Sequence, residues 1–92
     1  MAAPPLLTEQ CELLDVLLDP DARPVDRTTE RLATRVDIAP RRVAARLEEL
    51  ASRTPPLVRR GYDEEWEVNA WLPTDAGREA HDEVCGGSSS PI

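Results

Sequence analysis

Lysine and phenylalanine are both missing from this chain, and aromatic rings are scarce: two tryptophans and one tyrosine. A chain of 92 residues so poor in large rings must build one core from Leu, Val and Ala. That predicts a single compact helical unit with a small sheet. No run of about 18 or more apolar residues occurs, which argues against a membrane span. The opening Met1-Ala2-Ala3-Pro4-Pro5 has neither the basic cluster nor the apolar run of a secretory signal, and so predicts a cytoplasmic protein.

Chemically versatile side chains are equally sparse. His81 is the single histidine and has no second His or Cys at ligand spacing, so no metal is expected. There is no glycine-rich phosphate loop and no nucleophile with a matching base. No carboxylate pair has an evident reason to be buried. The expectation is a non-enzyme with no cofactor and no small-molecule substrate. Cys11 and Cys85 are far apart and outside any metal-binding pattern. A disulfide between them is conceivable, but a reducing compartment favours one buried thiol and one thiol near the tail.

What the chain does have is arginine, unevenly placed. The net charge is −7, yet ten of the eleven arginines fall between Arg23 and Arg60. That stretch holds only five acids (Asp26, Glu30, Asp37, Glu48 and Glu49), which leaves it at +5, while one arginine and thirteen acids leave the rest at −12. Phosphate neutralisation is local, so the charge of the contact surface outweighs the net charge. The acidic ends suit hydration and solubility, as in proteins of salt-loving organisms. A GC-rich coding sequence explains the missing lysine but not the clustering.

Hydrophobic spacing divides the chain into short elements. Residues 6–18 read as a helix capped by Thr8, with Leu7, Cys11, Leu14, Leu17 and Leu18 as its buried stripe. Arg23-Pro24-Val25 reads as a short edge strand. Residues 26–36 form a second helix, capped by Thr28 or Thr29, with Leu32, Ala33 and Val36 facing in. A tight break at Asp37-Ile38-Ala39 leads to Pro40, well suited to the first turn of a third helix over 40–53. Val43, Leu47 and Leu50 mark its inner side, and Pro55-Pro56 stops it. Residues 57–62 and 66–72 then read as two strands joined by Asp63-Glu64-Glu65, and a last helix runs from Thr74 to about Val84. Trp66 and Trp71 are expected to pack in the core. Residues 1–85 thus form one domain, with 86–92 as a flexible tail.

This order of elements is that of a winged helix-turn-helix, mainly α with a small antiparallel β-hairpin wing. The stretch from Leu32 to Leu47, LATRVDIAPRRVAARL, resembles the helix-turn-helix of bacterial and archaeal DNA-binding regulators, a haloarchaeal phage-repressor-like protein being one form. In that family a small residue follows the first Leu, here Ala33, and apolar residues plug the turn and anchor the next helix, here Ile38 and Val43. The residue before the plug is often Gly in a left-handed conformation; here it is Asp37. Downstream, Leu57-Val58-Arg59-Arg60 and Leu72-Pro73-Thr74-Asp75-Ala76-Gly77-Arg78 resemble the wing and closing helix, with Pro73 as an insertion.

The resemblance implies sequence-specific binding of double-stranded DNA by a transcriptional regulator, a repressor in type, acting as a homodimer. Pro40, Arg41, Arg42, Ala45 and Arg46 would form the exposed reading face, since arginine can pair two-point with guanine and a small Ala permits close approach. Thr28, Thr29 and Arg35 are candidate phosphate contacts, and Arg59 and Arg60 are the wing's. The plainer reading pairs these arginines with Glu48, Glu49 and other acids, each exposed pair contributing only about 0–1 kcal/mol. The acidic hairpin tip would be repelled by DNA. It suits the alternative, a winged-helix protein-interaction module without DNA binding.

Overall fold

A computed structural model of the chain describes residues 6–85; residues 1–5 and the segment 86–92, read above as a tail, lie outside it. The described part is a small, mainly helical domain with one two-stranded antiparallel hairpin. Helix α1 (Thr8–Leu17) buries Gln10, Leu13, Leu14 and Leu17. The stripe is therefore rotated from the expected one: Leu7 is exposed and Cys11 only partly covered, because the adjacent leucines at 13 and 14 reach the core together. Thr8 is not its cap. The cap position is Leu7, whose N–H donates to Gln10 Oε1 at 2.8 Å.

Arg23-Pro24-Val25 is not a strand. Pro24 starts a 3-10 turn, Pro24–Arg27, in the way proline suits any helical first turn. Asp26 closes that turn by accepting from the Arg23 N–H at 3.0 Å, and this bond, with the Arg23 guanidinium, holds its carboxyl below the ordinary range. The second helix therefore starts later than its periodicity suggests, as α2 (Thr29–Val36), with Thr28 in extended conformation accepting from the Arg31 N–H. Such a cap contributes about 1 kcal/mol. Asp37 follows in the left-handed region (φ 58°, ψ 48°) and turns the chain within three residues into α3 (Pro40–Ala51).

Strand β1 (Val58–Asp63) pairs with β2 (Val68–Pro73) in the register Arg60 to Trp71 and Tyr62 to Asn69. Both strands begin one or two residues later than expected. The turn takes four residues and closes on Glu67 with φ 54°, which leaves Trp66 in the turn, 44% exposed, and not in the core. Trp71 does pack inside, its indole N–H donating to Thr29 Oγ1 at 3.1 Å. Helix α4 (Asp75–Ala80) is capped by Thr74, whose hydroxyl accepts from Gly77 and donates to the Pro56 carbonyl. Gly77 has to be glycine, since a Cβ there would run into the Leu57 carbonyl.

Beyond Ala80 the chain makes a π-helical turn, His81–Cys85, that buries no residue. Cys85 is bonded to Cys11 across 74 residues, so the expectation of two free thiols is overturned. One helical turn along both elements, His81 Nε2 lies 3.4 Å from Asp15, a second link between the two ends of the domain. The core is the leucine set of α1 joined by Leu32, Val43, Leu47, Leu50, Leu57, Val58 and Trp71, with Val36 and Ile38 packed against it. Each buried aliphatic side chain contributes about 1.5–3 kcal/mol, which is ample to fix α3 against α1 and α2. No helix among the described residues is long and apolar enough to cross a membrane.

Candidate nucleic-acid interface

Helix α3 sits over the core on Val43, Leu47 and Leu50, so its opposite side is set by helical geometry. Pro40, Arg41, Arg42 and Ala45 are exposed there together. Arg41 has no carboxylate partner among the described residues. Arg42 is 59% exposed and meets one acid, Glu9 of α1, with Nε 3.2 Å from Oε2.

Arg46 is placed differently from the expectation. It lies one turn beyond Arg42 on the flank that faces α1, and its side chain is only 23% exposed. Its Nε donates to Glu9 Oε1 at 3.1 Å, and its Nη1 donates to both oxygens of Glu49, at 2.9 and 2.8 Å. Those two carboxylates, Glu49 foremost, raise its proton affinity above the ordinary guanidinium value. Glu49 in turn accepts from Gln10 Nε2 at 3.0 Å. In the sequence Glu9 reads only as an acid suited to the first turn of a helix, and nothing local ties it or Gln10 to α3. Both lie more than thirty residues from their partners, and only the docking of α1 brings them to α3.

The flank of α3 that faces the hairpin is simpler. Arg60 Nη2 lies 3.2 Å from Glu48, and its guanidinium stacks over the Trp71 ring at 4.8 Å, the residue paired with it across the strands. Arg59 is exposed on the other face of β1. At the tip, Asp63, Glu64, Glu65 and Glu67 are the sequence neighbours of the exposed Tyr62 and Trp66, and Arg23 reaches the Trp66 ring at 5.8 Å.

The remaining candidates are spread along α2. Thr28 is committed to capping and Thr29 to Trp71. Arg35 is exposed near the end of the helix, with Asp19 at 3.8 Å. The structure thus brings Pro40, Arg41, Arg42 and Ala45 to one surface, turns Arg46 into a contact with α1, and puts Arg60 beside the C-terminal half of α3. Between α1, the end of α2 and the His81–Cys85 turn, an open groove of about 780 Å3 has Glu12, Asp15, Asp19, Arg35, Arg78 and His81 in its lining. Its charges are of both signs, and among the described residues no three His, Cys, Asp or Glu side chains are placed to hold a metal ion.

No protein-family model matches the chain, and no curated protein does. Among solved structures it is similar to the X-ray crystal structure of the YusO protein from Bacillus subtilis, with a TM-score of 0.71 at 20% sequence identity. The match covers 89% of this chain and 55% of that one, so the chain spans about half the length of its structural neighbour. At that identity the likeness is one of fold.

Proposed function

We propose that the chain is a winged helix-turn-helix domain that binds double-stranded DNA sequence-specifically, as a transcriptional regulator of the repressor type. On this reading α3 enters the major groove and the hairpin is the wing. One observation carries it: the first turns of α3 expose Pro40, Arg41, Arg42 and Ala45 on a single surface, behind which α2 and the left-handed Asp37 brace the helix. Arginine is the residue best suited to the guanine edge, and the alanine leaves room for close approach. The arginine-rich middle of the chain supports the same reading against the acidic whole. Exposed Leu7 and Val84, on the elements joined by the disulfide, suit the contact between two copies.

Replacing Arg41 and Arg42 together by alanine tests this directly. Affinity for a duplex selected from a random pool should fall by about a hundredfold or more, since each base-reading arginine contributes roughly 1–3 kcal/mol. The salt dependence should become shallower as well. Unchanged binding across salt concentrations would overturn the proposal. A second reading, a protein-interaction module, draws on the hairpin tip, where four acidic residues and two exposed aromatic side chains follow one another within six positions. It gains ground if the double variant keeps its binding partner and the wild-type chain ignores DNA.

A further inference from the structure

We propose that Glu9 is a positioning residue for Arg42: it holds the Nε side of the guanidinium so that the Nη edge is presented, already oriented, to a pair of acceptors on the duplex. This inference rests on the DNA-binding reading above and deepens it by separating the arginines of α3 into one that reads and one that supports.

The two oxygens of Glu9 are divided between two arginines. Oε1 accepts from Arg46, and Oε2 faces the Nε of Arg42. Arg46 is itself pinned by both oxygens of Glu49, and Glu49 is pinned by Gln10, which is 3% exposed and also caps the start of α1. A chain of restraints therefore runs from a buried glutamine through Glu49, Arg46 and Glu9 to Arg42. Its end is the one guanidinium in the series that is mostly open to solvent.

The contact with Glu9 involves Nε, so the Nη1 and Nη2 fork of Arg42 is left to a ligand. That fork matches paired acceptors, either guanine O6 and N7 or two oxygens of one phosphate. A long, flexible side chain loses much of its rotamer freedom on binding, and a partner that restricts it beforehand improves both affinity and selectivity. Arg46 has no such edge to offer, since Nε and Nη1 are both engaged and the side chain is largely covered. An isolated arginine–carboxylate pair would serve only to cancel charge. Here the carboxylate is held from its other oxygen, which is what makes it a support.

The test uses the full chain and a duplex selected by the wild-type protein from a random pool, with a scrambled duplex of the same length beside it. Glu9→Gln, Arg42→Ala and the double variant are compared with wild type at several salt concentrations. If Arg42 reads guanine, Glu9→Gln should lower the ratio of selected to scrambled affinity by about tenfold, and one guanine should be sensitive to 7-deaza substitution. If Arg42 holds a phosphate, no guanine is sensitive. Arg42→Ala then makes the salt dependence shallower by about one phosphate's worth, and Glu9→Gln makes it shallower by part of that, as the loosened guanidinium leaves its phosphate.

In either case the effect of Glu9→Gln should vanish once Arg42 is alanine, and the Arg42 Nε resonance should shift in the Glu9→Gln variant as the carboxylate 3.2 Å away loses its charge. Arg46 keeps Glu49 in that variant, so the fold is retained. An unchanged ratio and an unchanged slope would overturn the inference while leaving the parent reading intact, and so would an effect that persists without Arg42. A wild-type chain that selects no duplex at all would remove the parent reading and this inference with it.

Discussion

The two flanks of α3 carry the same kinds of side chain and organise them in opposite ways. Toward α1, Arg42 and Arg46 meet Glu9 and Glu49 in a series that continues to the buried Gln10. Toward the hairpin, Arg60 meets Glu48 alone, both side chains more than 60% exposed. An ion pair between two such chains gains little, because water screens it and each partner gives up rotamer freedom. On the α1 flank part of that freedom is already lost, since each group is held by a neighbour that is itself held. The difference lies in whether a restraint leads back to the core. Charge count alone, the same on both flanks to within one pair, does not register it.

The largest expected effect comes from the end of the chain that anchors the α1 flank. Cys11 follows Gln10 directly, and its bond to Cys85 closes a separation of 74 residues. Loss of a cross-link of that span frees the unfolded chain, so Cys85→Ser should destabilise the domain by about 2–4 kcal/mol. Denaturant unfolding of the variant beside the oxidised wild type measures this as a lower midpoint. The His81–Cys85 turn buries nothing, so the leucine core should survive and the transition should stay cooperative. A loss below about 1 kcal/mol would mean that the α1 flank stands on its packing and hydrogen bonds without the covalent tie.

Gln10→Ala probes the series itself. The side chain is buried and makes two hydrogen bonds, one to the Leu7 N–H and one to Glu49. Truncation removes a helix cap and strands one backbone donor, which together should cost about 1–2 kcal/mol. Thermal unfolding gives the value. In the duplex assay this variant should also weaken the hold on Arg42 in the same direction as Glu9→Gln, though less, since it acts three contacts further back.

These two flanks also mark how far the fold and the site were legible in the sequence. The α2–α3 pair was readable because its signals are local: Thr28 before the helix, Asp37 at the turn, Pro40 at the next first turn, and an inner stripe of Val43, Leu47 and Leu50. Where two local signals compete, the reading shifts. In α1 the apolar sets 7, 11, 14, 18 and 13, 14, 17 both have helical spacing, and the true stripe is disguised by a polar Gln10 at its head.

At Pro24 the same ring geometry serves an extended edge or a 3-10 start, and the Asp26 carboxylate decides for the latter. The four-residue hairpin turn ends on a left-handed Glu67, an uncommon place for glutamate, so the local alternation starts the strand two residues early and puts Trp66 in the core. The disulfide and the Glu9 contacts were not legible at all. They join residues that only the docking of α1 brings together, and no local pattern reports which of many carboxylates an arginine will meet.

The smallest expected effect lies on the hairpin flank. Glu48→Ala removes the carboxylate 3.2 Å from Arg60 but leaves that guanidinium on the Trp71 ring, where it already sits at 4.8 Å. The ring contact is independent of the ion pair, since Arg60 and Trp71 are cross-strand partners whose side chains leave the sheet on the same face. Alanine also has the higher helix propensity, which offsets part of whatever is lost. Stability should therefore change by no more than about 0.5 kcal/mol, and the change should be the same at low and high salt. A measured loss above about 1 kcal/mol would show that an exposed, singly held pair can match a braced one, and the distinction between the flanks would have to rest on something other than restraint. In the duplex assay Glu48→Ala should leave selectivity unchanged, where Glu9→Gln lowers it. Removing Glu48 takes away a negative charge without disturbing the orientation of any reading arginine, so binding to selected and scrambled duplexes should tighten alike and their ratio should hold.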